Sequence, residues 1–320
     1  MRGFSISFRI LLPLAALACK PPVQMTPPPA GATAAQVALS GASVLIGAGD
    51  IARCNAYGDE ATATLVDSVL RADSAAKVHD EVFTLGDNAY PGGTTSDFDL
   101  CFAPSWGDST KLIMKNIRPS PGNHEHLSTG AAPYYKFFGS HAGASSKGYY
   151  SYNVGAWHAI ALNSEIVVNS SFTPADRQAQ LDWLAADLKA NTQKCTVAYW
   201  HNPRFSSGWH GSDPRLGSFW QLLYAANVDV ILNGHDHDYE RFLAQTPTGV
   251  ADSVLGIPEI IVGTGGGDLR GYRNDLEPNS QIRIQGHYGV LKLTLGAAEW
   301  RSAFIDVDGR VWDQTGGVCH

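Results

Sequence analysis

Polar residues that can bind metal ions follow apolar segments at five places in this 320-residue chain. The clearest is Val82 to Tyr90, where the apolar run Val-Phe-Thr-Leu is followed by Gly-Asp-Asn-Ala-Tyr. Such a run is typical of a buried β-strand, and ligand-bearing loops commonly lie just past the carboxyl ends of parallel strands. One carboxylate has two oxygens and can hold two cations about 3.5–4 Å apart. We therefore interpret Asp87 as a ligand that bridges two metal ions.

Four further segments end in the same way, and they contribute Asp50, the pair Asn123 and His124, His201, and the pair His235 and His237. Taken singly, each has an ordinary structural explanation. An aspartate after a glycine is commonly a turn residue or a helix cap, and a histidine at a strand end is commonly a hydrogen-bonded core residue. Five such coincidences are improbable by chance. We therefore expect these side chains to converge on one metal centre.

The predicted elements explain how these residues could meet. An apolar run at residues 44–46 and the strand at residue 82 flank a helix predicted over residues 60–71, whose apolar positions have core spacing. Because the strands of such a unit are parallel, with a right-handed crossover, Asp50 and Asp87 should lie at the same edge of one sheet. Further strands are predicted at residues 117–120, 149–154, 157–162, 197–200, 228–232, 260–262, 288–295 and 300–307, with helices starting at Thr173 and Pro214. Residues 127–147, rich in Ser, Gly, Ala and aromatic residues, are predicted to form a long surface loop.

The composition is typical of a soluble globular protein, with 44% apolar and 17% charged residues and a formal net charge of -7. Proteins bind a nucleic-acid backbone mainly through Lys and Arg side chains that release counterions. The sequence has no basic patch of that kind. We therefore expect no nucleic-acid backbone binding, and the composition favours no particular oligomeric state.

Residues 1–19 have the features of an export signal. Arg2 and Arg9 form a basic start, residues 10–18 are mostly apolar, and small residues precede Cys19. The sequence Ala-Leu-Ala-Cys resembles a bacterial lipoprotein cleavage box, which would make Cys19 a lipid anchor; plain secretion is the alternative. Residues 20–42 read as a Pro/Ala-rich linker, so residues 43–320 would form the globular domain of a secreted, periplasmic or outer-surface protein.

Export permits disulfide bonds, and four cysteines remain after Cys19: Cys54, Cys101, Cys195 and Cys319. Cys54 and Cys101 each follow a strand that bears a motif, so we favour their pairing. Cys195 with Cys319 is a weaker prediction, because four cysteines permit three connectivities.

The motifs together resemble one protein family. The blocks Gly49-Asp50, Gly86-Asp87-Asn88-Ala89-Tyr90, Gly122-Asn123-His124-Glu125, Trp200-His201 and Gly234-His235-Asp236-His237 resemble those of the calcineurin-like metallophosphoesterases, and more narrowly the purple acid phosphatases. Most of the superfamily has a histidine two residues after the first aspartate, where this chain has Ala52. Tyr90 instead stands where the purple phosphatases have a tyrosinate ligand. The resemblance implies an α/β fold, a four-layer αββα sandwich of two mixed β-sheets flanked by helices.

The same resemblance implies a dinuclear metal centre. One metal would be held by Asp50, Asp87, Tyr90 and His237, and the other by Asp87, Asn123, His201 and His235. A phenol has an unperturbed pKa of about 10, so holding Tyr90 as phenolate at neutral pH favours Fe(III). Two imidazoles, an amide oxygen and a carboxylate suit Zn, Mn or Fe(II) at the second site.

The family's chemistry implies roles for two more histidines. His124 and His210 match positions that face the phosphate, where they could bind phosphoryl oxygens or protonate the leaving group; His210 could equally be an exposed loop residue. The implied reaction is hydrolysis of phosphate monoesters of small molecules by in-line attack of a hydroxide generated at the metals. The alternatives are a phosphodiesterase or nucleotidase on the same scaffold, and a non-catalytic surface lipoprotein that binds metal or phosphate.

Three other features could be mistaken for phosphate-binding elements. The segment Gly263 to Gly267 lacks the Lys-Ser/Thr that completes a P-loop, so we expect it to pack beneath the site. For Arg204 and Arg241, a structural ion pair is the favoured interpretation.

Overall fold

The computed structural model describes residues 42–273 and 275–320, together with residues 1 and 39. Its strands are β1 Ser43–Ala48, β2 Ala52–Arg53, β3 Asp80–Leu85, β4 Ala89–Tyr90, β5 Ile117–Ser120, β6 Tyr150–Val154, β7 Trp157–Ala161, β8 Cys195–Tyr199, β9 Val230–Asn233, β10 Tyr239–Phe242, β11 Glu259–Val262, β12 Ser280–Ile284, β13 Gly289–Leu295, β14 Glu299–Asp306 and β15 Val311–Val318. The α-helices are α1 Gly58–Ala75, α2 Thr95–Asp97, α3 Ala132–Phe138, α4 Glu165–Val168, α5 Pro174–Ala190 and α6 Gly217–Ala225. The predicted leader and linker lie outside the described residues, apart from Met1, Leu39 and Ala42, and stay predictions.

The first sheet carries three of the motif-bearing strands side by side. Its strand order is β15-β14-β13-β1-β3-β5. Strands β1, β3 and β5 are parallel, whereas β13, β14 and β15 are antiparallel to their neighbours. All six residues of β1 are buried, which is why this strand has an uninterrupted run of small and apolar residues. Asp50, Asp87 and Asn123 therefore leave the sheet at the same edge.

The second sheet provides the histidines. Its order is β12-β10-β11-β9-β8-β7-β6, and β7, β8, β9 and β11 are parallel. His201 lies two residues after the end of β8, and His235 lies two residues after the end of β9. The predicted hairpin is confirmed, because β6 and β7 pair in antiparallel register.

Strand β9 shows how the layers are built from an alternating pattern. Val230 and Leu232 join the apolar cluster that contains residues of both sheets, whereas Ile231 joins a second cluster with residues of α5 and α6. Successive strand residues point to opposite faces, so this sheet packs on the first sheet with one face and on helices with the other. Helix α1 packs against β3 and β13 of the first sheet. The expected α/β architecture of two mixed sheets flanked by helices is confirmed.

Two parts of the chain differ from the sequence prediction. The region 127–147 is not a plain surface loop, because it contains α3, where Tyr134 and Phe138 are buried. Phe138 packs edge-on against Phe98 and Phe102, with ring centroids 5.7 and 5.4 Å apart, so its aromatic residues form core rather than surface. Strand β15 was not predicted, since its sequence VWDQTGGV alternates poorly and contains two glycines.

Both predicted disulfides are confirmed. Cys54 pairs with Cys101 and Cys195 with Cys319, with Cα atoms 4.7 and 5.3 Å apart. The first disulfide joins the chain after β2 to the π-helical turn that follows α2. The second joins β8 of one sheet to the chain end beyond β15 of the other. Asp229 lies beside the second pair, but both thiols are used in the disulfide, so this cluster is not a metal site.

Arg241 has the structural role that was expected of it. Its guanidinium donates to Asp313 at 2.6 and 3.1 Å, and both residues are buried. This pair connects β10 of the second sheet with β15 of the first. The expectation for Arg204 was wrong, because its guanidinium lies over the Phe205 ring, 4.4 Å from the centroid, and forms no ion pair with any described carboxylate.

Among the described residues, no helix combines the length and apolar character that a membrane crossing requires.

Candidate metal centre

The predicted ligands lie at the adjoining carboxyl edges of the two sheets, in tight turns. Asp50, Asp87 and His235 have positive φ angles of 60°, 49° and 70°. Such conformations cost non-glycine residues about 1–3 kcal/mol each and persist at functional sites where the surroundings enforce them. Each turn places its side chain inward immediately after its strand.

The first donor set surrounds the phenol of Tyr90. Its hydroxyl oxygen lies 2.9 Å from Asp50 Oδ1, 3.2 Å from Asp87 Oδ2 and 3.1 Å from His237 Nε2. His237 Nε2 is in turn 3.3 Å from Asp50 Oδ1. These four side chains are the ones expected to hold the first metal, and the structure brings them together.

The second donor set surrounds His201. Its Nε2 lies 3.3 Å from Asp87 Oδ2, 3.0 Å from Asn123 Oδ1 and 3.1 Å from His235 Nδ1. The same Asp87 oxygen thus belongs to both sets, because it is the atom that approaches Tyr90. One oxygen of Asp87 therefore lies within 3.3 Å of a donor in each set.

Backbone groups orient the donors from behind. The Nδ1–H groups of His201 and His237 donate to the carbonyl oxygens of Leu85 at 2.7 Å and Asp268 at 2.5 Å. Both imidazoles therefore direct Nε2 toward the centre. Such outer contacts fix the tautomer and ring orientation of metal-binding histidines.

The carboxylates are oriented in the same manner. Asp87 Oδ1 accepts from the His124 backbone N–H at 2.8 Å, and Asp50 Oδ2 accepts from the His235 backbone N–H at 2.8 Å. One oxygen of each aspartate is thereby held by the backbone. The other oxygen of each remains directed at Tyr90.

Glu125 is a supporting residue whose role the sequence analysis missed. Its buried carboxylate accepts from the backbone N–H groups of Asn88 at 2.8 Å and Gly122 at 2.7 Å. It therefore ties the loop of Asp87 to the loop of Asn123. Burial, reinforced by the charge of Asp87, raises the pKa of Glu125 to about 7. Its place in the block Gly-Asn-His-Glu was the available signal.

Electrostatics distinguish the donors. Burial opposes ionisation of Asp87, but His201 and the His124 backbone N–H outweigh it and hold the pKa of this carboxyl well below its usual range. Burial likewise disfavours the His201 imidazolium. The Asp87 carboxylate outweighs this effect and raises the pKa of His201 to about 10. Burial and the charges of Asp50 and Asp87 raise the pKa of Tyr90 far above that of a free phenol.

The donor chemistry fits two cations. The centre combines carboxylate, amide and phenol oxygens with imidazole nitrogens, all within about 3 Å of a neighbour in the set. Lone-pair atoms packed this closely in a buried place repel one another unless protons or cations lie between them. Imidazole and carboxylate ligands together suit transition metals such as zinc and iron.

His124 and His210 lie at the rim of the centre. His124 is 28% exposed, its Nδ1–H donates to Pro91 O at 2.5 Å, and its Nε2 lies 3.8 Å from Asp87 Oδ2. His210 is 33% exposed, and its ring stacks on His235 with centroids 4.1 Å apart. Neither joins a donor set. The remaining histidines, which had no motif support, lie outside both sets: His79, His126, His141, His158, His287 and His320.

The glycine-rich segment after β11 packs beneath the site, as expected. A Cβ at Gly263 would lie 2.0 Å from Asp236 O, and one at Gly265 would lie 2.5 Å from Gly49 O. Only glycine at these two positions lets the segment pass this close to the turns that carry Asp50 and His235. The segment continues into Asp268 and Arg270, which the sequence analysis did not identify as part of the site.

Comparison with known families agrees with this geometry. The profile of the calcineurin-like phosphoesterase family matches residues 46–239, more than half of the chain. The protein therefore belongs to the calcineurin-like phosphoesterase family.

Within that family, its relatives include purple acid phosphatases. Purple acid phosphatase 18 of Arabidopsis thaliana is 30% identical over 221 residues, covering 60% of this chain and 48% of its own. Human acid phosphatase type 7 is 28% identical over 196 residues, covering 54% and 43%. This chain thus spans about half the length of these relatives or less.

Solved structures share the fold. The purple acid phosphatase PPD1 from yellow lupin superposes with a TM-score of 0.71 at 20% identity, covering 87% of this chain and 54% of that one. GAP50, described as the anchor in the inner membrane complex of Plasmodium, superposes with a TM-score of 0.68 at 13% identity, covering 87% and 89%. At these identities, the likeness is one of fold.

Proposed function

We propose that this protein is a dinuclear-metal phosphoesterase that hydrolyses phosphate monoesters of small molecules. The observation that supports this most directly is the shared oxygen of Asp87, which lies 3.2 Å from Tyr90 of one donor set and 3.3 Å from His201 of the other. Asp50 and His237 would complete the first site. Asn123 and His235 would complete the second.

Two cations held there would bind phosphoryl oxygens, activate a water molecule and balance the charge of an in-line displacement. The chain itself supplies orientation. His201 and His237 are held by carbonyl groups, and Asp87 is held by a backbone N–H. The donors are thus positioned before substrate arrives, which lowers the reorganisation that catalysis requires.

His124 is the proposed proton donor at the rim. Its Nδ1–H is held by Pro91 O, and its Nε2 lies on the side of Asp87. A histidine in this position can hydrogen-bond a phosphoryl oxygen or protonate the leaving alkoxide. The partial exposure of His124 leaves room for a substrate to reach it.

The substrate class can be tested with three model esters. We expect the metal-loaded protein to release phosphate from p-nitrophenyl phosphate with a higher kcat/KM than it shows for bis(p-nitrophenyl) phosphate or for nucleotides. Steady-state kinetics on all three would measure this. Preference for the bis ester or for nucleotides would instead establish the phosphodiesterase or nucleotidase alternative, and absence of turnover on all three would support a non-catalytic metal-binding protein.

We propose Fe(III) at the Tyr90 site. Burial and two carboxylates raise the pKa of this phenol, so forming the phenolate at neutral pH requires a strongly charged cation. The second site would hold Zn, Mn or Fe(II).

The oxidised protein should therefore show a visible tyrosinate–Fe(III) absorption band that Tyr90→Phe abolishes. Tyr134→Phe is the control, because Tyr134 is buried and donates to Pro119 O at 3.0 Å outside both donor sets. Visible spectroscopy with metal analysis checks this. A colourless, iron-free protein with full activity would contradict the Fe(III) assignment.

We also propose that the protein acts outside the cytoplasm. Its two disulfides support this, since such bonds persist in oxidising compartments. The predicted signal and the lipid anchor at Cys19 remain predictions of the sequence.

A further inference from the structure

The loop after β11 reaches from the first donor set to the rim of the site. Gly267 N donates to Asp50 O at 2.7 Å, and Asp268 O accepts from His237 Nδ1. Arg270 N then donates to His237 O at 3.0 Å. The backbone of Arg270 is thereby fixed to a predicted metal ligand.

The Arg270 guanidinium points to the rim. Its Nη1 donates to His210 Nε2 at 2.8 Å, while His210 Nδ1 lies 3.0 Å from His235 O, to which it donates. His210 Nδ1 also lies 3.1 Å from Oδ1 of the buried Asp236, so both nitrogens of His210 are engaged by the protein. This contact places the Arg270 guanidinium, a permanent positive charge, at the rim beside His210.

This charge has no carboxylate partner in the described parts of the chain. No Asp or Glu oxygen among residues 42–273 and 275–320 lies within 4.0 Å of the Arg270 guanidinium. By contrast, Arg118 and Arg241 are each paired with a carboxylate in the body of the fold. Arg270 is also only partly buried, so its remaining N–H groups can reach a ligand at the rim.

We propose that Arg270 binds the phosphoryl group of the substrate, an inference that rests on the function proposed above. A guanidinium has five N–H donors in a fixed plane and matches phosphate oxygens in pairs. Only one of these donors is used by His210. His210 then acts as a positioning residue, because its ring stacks on His235 and its Nε2 accepts from the guanidinium, which is thereby held near the second donor set.

The proposal also favours one class of ester. A phosphate monoester carries up to two negative charges near neutral pH and a diester carries one, so an additional cation stabilises the bound monoester more. Arg270 would therefore contribute to the preference for monoesters. The contribution of Arg270 to this preference is separate from that of the bound metals, which would contact monoesters and diesters alike.

The test uses the metal-loaded protein and three variants. Arg270→Met removes the charge and keeps an unbranched stem, and Arg270→Lys keeps the charge without the planar donor pair. Arg301→Met is the matched control, because Arg301 is 46% exposed on β14 and its one described ion pair is with Glu299. The measurements are the Kd of inorganic phosphate by calorimetry, kcat and KM for p-nitrophenyl phosphate and its bis ester, and metal content.

We expect Arg270→Met to weaken phosphate binding about 10- to 100-fold, the range for loss of a charged hydrogen bond, with two metals retained. KM for the monoester should rise by a similar factor, and the bis ester should be affected less. Arg270→Lys should recover part of the loss, and Arg301→Met should match the parent within about 2-fold.

Two results would overturn the assignment. One is a phosphate Kd in Arg270→Met equal to that of the parent. The other is a loss of affinity that only follows a loss of metal. If the parent hydrolyses no ester, the proposed function fails, but the phosphate Kd of the parent and the variants still decides whether Arg270 binds phosphate.

Discussion

Replacement of Asp87 by asparagine is expected to lower kcat/KM for phosphate monoesters by at least ~10³-fold and to reduce the metal content below two per chain. The physical reason is the double role of Asp87 Oδ2, which approaches donors of both sets. Loss of an outer partner of a metal ligand already costs about 10–100-fold, so loss of a direct bridging charge should cost more. Asparagine tolerates the positive φ of this position, so the backbone should be retained. Kinetics and metal analysis on the purified variant measure both effects.

Asp80→Asn is a matched control on the same strand. Asp80 begins β3, at the end opposite to Asp87, and is buried. Burial raises the pKa of Asp80 to about 7, so a neutral amide resembles the protonated form that this carboxyl already populates near neutral pH. We expect its activity and metal content to equal those of the parent. Near-normal turnover and two metals in Asp87→Asn would show that the bridging role is wrong.

Gly122→Ala is expected to lower activity by at least ~10²-fold, although Gly122 binds nothing itself. A Cβ at this position would lie 2.3 Å from Asp87 Oδ1 and 2.4 Å from the Asp87 backbone nitrogen. Because the clash includes backbone, the turn that carries Asp87 must move. A displacement of about 1 Å at a reacting centre can cost ~10²-fold in rate. Metal content and kcat/KM report the displacement.

Gly92→Ala provides the comparison. Its added Cβ would meet Thr94 Cγ2 at 3.5 Å and Asp97 Oδ2 at 3.6 Å, which are ordinary contacts. This variant should keep its metals and its activity. If Gly122→Ala behaved in the same way, the positioning of Asp87 would be less demanding than its contacts indicate.

Much of the fold could be predicted because the strands that form it have strong local patterns. β1, β3 and β9 are short and buried, and each contains an apolar run. Each run leads into a glycine followed by a polar candidate ligand. The capped start of α5 was also visible, because Thr173 and Asp176 form a reciprocal capping box. The region of α3 was predicted wrongly, since its aromatic residues become core only by packing against Phe98 and Phe102.

The supporting residues of the site could not be predicted in the same way. Glu125, Asp268 and Arg270 act through contacts with residues distant in the chain, such as Asn88, His237 and His210. None of these contacts has a periodic or spaced signature. His210 was identified by its position after His201, but its engagement with Arg270 was not.

The sequence by itself determined which side chains could bind metals, and that they follow strand ends, because the identity of a ligand and the period of a strand are local properties. Only the tertiary structure decided that one oxygen of Asp87 is common to both donor sets and that Arg270 stands at the rim. Those facts depend on how two sheets pack and how loops from each cross their adjoining edges. Distances of about 3 Å between residues over 100 positions apart, such as His201 and Leu85, arise from that packing alone.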